Sequence, residues 1–158
     1  MTNYLPILDD DVVYCDVTGF DRTLFNLKLR VYREPDFKSK MGFRYYLVDF
    51  FFAVYFQGPL FWQGMRVERG TDAQMAELAP FALDRQNEMR AEGRDHYPKL
   101  YRIHSTDCGL LNVIAGACRV YAFDSPEPLS FTGTDGLWFA NWDIIFEEGY
   151  AGQAEGHF

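Results

Sequence analysis

Between Leu24 and Arg33 the chain alternates without a slip. Phe25, Leu27, Leu29 and Val31 are apolar, and Asn26, Lys28, Arg30 and Tyr32 stand between them. Successive strand side chains point to opposite faces, so this pattern specifies a strand with one buried and one wet face, and it places those four apolar residues in the core together. Val12–Val17 reads as a shorter strand, and the link 19–22 makes the two a hairpin. The aromatic run 43–56 fits a strand buried on both faces. A turn at Gln57-Gly58-Pro59 then leads into a strand over 60–69.

One helix is signalled, over about 72–92. Thr71 and Gln74 have the spacing of a capping box, in which each side chain satisfies the other residue's backbone N–H. Met75, Leu78, Ala79, Ala82 and Leu83 form an apolar stripe, and Gly93 suits the position just past the helix end. Pro80 lies inside the stripe and predicts a kink or two abutting helices. Strand patterns return over 99–105, over 111–123 with a break near Gly116, and over 137–147. The stretches 125–128 and 132–136 read as loops, and the tail from about 149 as frayed. Strands, then a helix, then strands, with no βαβ alternation, predict an α+β fold: a largely antiparallel curved sheet with one main helix packed on it. The 158 residues carry no repeat or linker and read as a single domain, 1–158.

Charge narrows the function. The net charge of −8 argues against general nucleic-acid binding and against docking on an anionic membrane. Three cysteines, Cys15, Cys108 and Cys118, suit a reducing compartment and free thiols. A Cys108–Cys118 pair would need a turn to join them. The first eleven residues have no basic or apolar leader pattern, and the apolar run 45–56 is too short to span a bilayer as a helix. The expected location is cytoplasmic.

No motif fixes a reaction. Walker, dinucleotide-binding and nucleophile-elbow patterns are absent. His104 and Cys108 could pair as base and thiolate or share a metal, but no further ligands stand at metal spacing, so no metal or cofactor is expected. Asp95 and His96 are neighbours that could meet only in a turn. Asp49, set among Tyr45, Tyr46, Phe50, Phe51 and Phe52, is the best single catalytic candidate, because an apolar setting raises a carboxyl pKa. Residues 103–158 hold eight acids and one base. There Asp143, Glu147 and Glu148 lie close to Trp138 and Trp142.

This last cluster suggests a non-enzymatic acidic binding domain, of the inhibitor or immunity type, that blocks a basic site on a partner protein. Its acids would steer the encounter and its tryptophans would anchor it. The alternative is a small-molecule-binding protein or enzyme with an aromatic-lined pocket and a buried carboxylate, since 18% of the chain is aromatic. A structural subunit would use the same aromatics and need no site.

Overall fold

A computed structural model describes residues 4–21, 25–33, 43–125 and 143–149. These form a nine-stranded antiparallel sheet and two helices. In chain order the elements are β1 (Tyr4–Asp21), β2 (Asn26–Arg33), β3 (Phe43–Phe51), β4 (Tyr55–Gln57), β5 (Phe61–Arg69), α1 (Asp72–Leu78), α2 (Pro80–Ala91), β6 (Lys99–His104), β7 (Leu110–Ala115), β8 (Ala117–Ser125) and β9 (Asp143–Glu148). Across the sheet the order is β4-β7-β6-β5-β1-β2-β3-β8-β9. The α+β class, the antiparallel pairing and the placement of the helices on one face all agree with the sequence reading.

The sheet is strongly curled. Glu148 on β9 bonds Arg69 on β5 and Tyr101 on β6, five and six places away in the strand order. Strands lie about 4.8 Å apart, so a flat sheet would hold β9 and β5 about 24 Å apart. The curl has visible causes. Facing β5, β1 advances five residues from Tyr4 to Asp9 while β5 retreats only two, from Glu68 to Arg66. A second shift follows between Asp10 and Tyr14. Surplus residues on one strand bend it and increase its twist. β3 also runs on into β4, and β7 into β8, around a shared bend at Phe52–Val54 and Gly116. Val54 N–H donates to Ile114 O at 2.8 Å and Gly116 N–H to Phe51 O at 3.0 Å, so the ladder carries on through the corner.

The curled sheet encloses one apolar interior. Val13 and Cys15, Leu27, Leu29 and Val31, Val48 and Phe50, Trp62, Tyr101, Ile103, Val113 and Val120 all contribute to it. Leu27, Leu29 and Val31 take the places their alternation requires. Phe25 does not: it sits in the turn before β2 with φ +50° and is 52% exposed. The strand begins at Asn26, so the period-two rule does not reach Phe25. Leu29 has no exposed surface, and its replacement by Ala should lower stability by about 3 kcal/mol in urea unfolding. An unchanged midpoint would contradict its place in the core.

The helices cover the outer face. Met75, Ala79 and Ala82 pack on Leu100 and Ile114, with Tyr55 beside them. The single helix expected over 72–92 is two abutting helices. Ala79, at φ −153° and ψ 85°, leaves the helical region because Pro80 follows it, and Pro80 opens α2. The capping box is present in both directions. At the far end Gly93 N–H donates to Arg90 O and Arg94 N–H to Met89 O, each at 3.0 Å, with Gly93 at φ +74°. This is the left-handed helix cap that glycine favours.

Candidate functional site

Four strand ends and two loops converge at one end of the curled sheet. On β6, Lys99 shares a face with Tyr101 and Ile103 by alternation, so a lysine is drawn onto the apolar side of a strand and is 6% exposed. Its ammonium donates to three carbonyls, Asp95 O at 2.6 Å, Gly116 O at 2.9 Å and Tyr97 O at 3.1 Å, and lies 4.0 Å from the centre of the Tyr97 ring. All three N–H donors are used. Burial lowers its pKa to about 8, against the opposing pull of Glu148 and Asp95. Lys99 is thus a rivet that fixes the loop before β6 to the corner between β7 and β8.

Two glycines let the backbones close around it. A Cβ on Gly116 would stand 2.4 Å from His96 O. Gly149, just past β9 at φ +83°, has no room either, since a Cβ there would meet Gly116 O at 2.4 Å.

Arg69 closes β5 opposite Tyr101. Its Nη2 and the Tyr101 hydroxyl both donate to Glu148 Oε1, and its guanidinium lies 4.9 Å from the centre of the Tyr101 ring. Burial works against the Arg69 charge, but Tyr101 and Glu148 outweigh it and raise its pKa. Burial pushes the Tyr101 hydroxyl well above its ordinary range, so it remains a donor.

Above this floor, α2 brings Gln86 and, one turn on, Arg90. Gln86 Nε2 donates to Pro98 O at 2.9 Å. Together these groups border a cavity of about 620 Å³, lined also by Gly70, Asp72, Met75, Asp95, Tyr97, Leu100 and Glu147. Arg69 Nη1 and Gln86 Oε1, atoms of two of the lining residues, are buried behind the cavity surface without a hydrogen-bond partner.

Asp49 lies elsewhere, on the outer face of β3, while Val48 and Phe50 point inward. Its cross-strand neighbours are Lys28 on β2 and Arg119 on β8. It is 1% exposed, and burial raises its pKa to about 7 against the pull of Lys28, a hydrogen bond from Asn26, and Arg119. Asp49 Oδ1 and Asn26 Oδ1 are both buried acceptors without a partner.

The other candidates separate. His104 Nε2 lies 2.9 Å from Glu68 Oε2, which sets the ring against β5. Cys108 is exposed, and slight desolvation together with neighbouring Asp107 raises its thiol pKa, the opposite of an activated thiolate. Ser105–Gly109 is a turn clipped to Gln63: Thr106 N–H and Oγ1 donate to Gln63 O, and Gln63 N–H donates to Asp107. Burial, then Arg94 and Lys99, lower the His96 pKa, and its ring rests 5.3 Å from that of Phe52. All three cysteines are free.

Of the proposed docking residues, Trp138 and Trp142 lie outside the described residues. Glu147 accepts from Arg119 Nε at 2.9 Å, Glu148 belongs to the Arg69–Tyr101 group, and Asp143 is exposed. Of the strand expected over 137–147, the described part is β9, whose pairing with β8 shifts between Val120 and Tyr121, and both Ile144 and Ile145 are exposed. The loop readings and the tail beyond 149 also lie outside the described residues.

Among the described residues, no three His, Cys, Asp or Glu side chains gather as a metal site, and no helix is long and apolar enough to cross a membrane. Compared with family models, curated proteins and solved structures, the chain matches none.

Proposed function

We propose that the protein binds a small polar molecule in the cavity between α2, β5, β6 and the end of β9. The observation that carries this reading is the 620 Å³ cavity itself, whose lining gathers Arg69, Gln86, Arg90, Lys99 and Glu148 from β5, α2, β6 and β9. Small-molecule sites have this size and a few fixed polar groups. Binding is favoured over catalysis because the groups that could react are already engaged: Lys99 by three carbonyls, Tyr101 and Arg69 by Glu148.

The test is a thermal-shift panel of amino acids, aldoses and polyols, and carboxamides. A ligand at a hundredfold excess over its Kd adds about 2.7 kcal/mol, or a Tm rise of about 5–10 °C for a chain of this length. At least one class should produce that rise, and Gln86→Met, shown folded by circular dichroism, should lose it. A flat response across every class would contradict the reading.

A second reading is docking of a basic protein on β9, through Asp143 and the anchors Trp138 and Trp142. Exposed Ile144 and Ile145 on an end strand of the sheet favour it. It ranks second because two of its three carboxylates, Glu147 and Glu148, are already held by Arg119 and Arg69.

A further inference from the structure

Resting on the cavity reading, the chemistry of the ligand follows from the groups that the cavity presents to solvent. Asp72 in the first turn of α1 and Arg90 in the last turn of α2 are exposed, and Tyr97 in the loop before β6 is half-buried. Among the described residues, none of these three side chains has a hydrogen-bond or ion-pair partner. Arg90 is nonetheless propped in place. Its guanidinium carbon lies 5.2 Å from the centre of the Tyr97 ring, which the Lys99 ammonium approaches to 4.0 Å. A guanidinium steadied in this way loses less freedom when a ligand arrives. Arg69 and Glu148 also line the cavity, each with 24% of its side chain exposed while bonded to the other.

The lining carries both signs of charge, with Arg69, Arg90 and Lys99 set against Asp72, Asp95, Glu147 and Glu148. An anion would meet the carboxylates and a cation the bases, and like charges brought together are costly. An apolar ligand gains little, because Met75 and Leu100 are each 1% exposed. A neutral molecule that is polar over its whole surface meets none of these costs. Each hydroxyl is both a donor and an acceptor, so it can serve a carboxylate or a guanidinium wherever either stands. Two neighbouring hydroxyls also match the paired oxygens of Asp72 or the paired N–H groups of Arg90.

We propose that the cavity takes a neutral polyhydroxylated ring, an aldose or a cyclitol, whose hydroxyls donate to Asp72 and accept from Arg90.

The test is isothermal titration of the full chain with D-glucose, D-galactose and myo-inositol, beside D-glucosamine and D-glucuronate, which add one charge to the same kind of ring. At least one neutral ring should bind, and whether it is a sugar or inositol tells the aldose from the cyclitol. Both charged sugars should bind more weakly than the best neutral ring. Arg90→Met and Asp72→Ala, each shown folded by circular dichroism, should weaken that ring about tenfold or more, the usual result of losing one charge-assisted hydrogen bond. A charged sugar that binds as well as the neutral rings, or variants that keep full affinity, would overturn the assignment. Amino acids or carboxamides that raise Tm while every neutral ring gives no heat would overturn it too, yet leave the cavity reading standing. Silence from every class would remove both.

Discussion

Replacing Lys99 with Met should destabilise the protein by about 4 kcal/mol, since each buried acceptor left without a donor costs about 1–3 kcal/mol. The methionine fills similar space but donates nothing, so the carbonyls of Asp95, Tyr97 and Gly116 lose their shared donor. Each is a buried or half-buried acceptor, and stranding such groups carries their full desolvation penalty. The loop before β6 and the β7–β8 corner should loosen first, because Lys99 joins them. Urea unfolding gives the magnitude, and hydrogen exchange at Gly116 and Leu100 gives the place. A loss below about 1 kcal/mol would mean that the three carbonyls find other donors, and that Lys99 is not the rivet.

Asp49→Asn should have an effect of similar size and opposite sign, confined to one side of a pH window. The carboxyl titrates near 3.8 in the unfolded chain and at about 7 in the fold, because burial there penalises its charged form. Between those values the unfolded state releases its proton and the native state keeps it. Stability from this group is therefore complete below pH 3.8 and declines as pH rises, until the native carboxyl also ionises near 7. At 1.36 kcal/mol per unit the decline is about 4 kcal/mol. Asparagine has no such term. At pH 8 the variant should be the more stable protein, and toward pH 4 the two should converge. Parallel stability curves from pH 4 to 8 would contradict a buried, proton-holding Asp49.

How far the sequence reaches differs between the fold and the site. The alternation through Leu27, Leu29 and Val31 and the Thr71–Gln74 box are local codes, and both hold in the structure. The length of β1 was hidden because Asp9, Asp10 and Asp11 break any apolar pattern. The strand continues through them by shifting register against β5. Phe25 was misplaced because a left-handed turn residue ends the alternation one step early.

Asp49 was legible, since a carboxylate inside an aromatic run has few ways to avoid burial. The cavity was not. Arg69 and Glu148 are 79 residues apart, and Tyr101 and Glu148 are 47 apart. Only the curl of the sheet brings β9 to β5 and β6. One local signal did exist: Lys99 stands on the same face of its strand as Tyr101 and Ile103, and a lysine in that register must find polar partners at the end of the core.

The central claim is that the end of the curled sheet bordered by Arg69, Gln86 and Glu148 is where the protein meets its ligand. Amide chemical-shift mapping by NMR tests it most directly, with the panel compound that gives the largest thermal shift as titrant. The expected perturbations gather at Gly70, Gln86, Leu100 and Gly149, which line the cavity, while Asp49 and Arg119 on the outer face stay unmoved. Perturbations centred on Ile144 and Ile145, or no titrating amide with any compound of the panel, would contradict it.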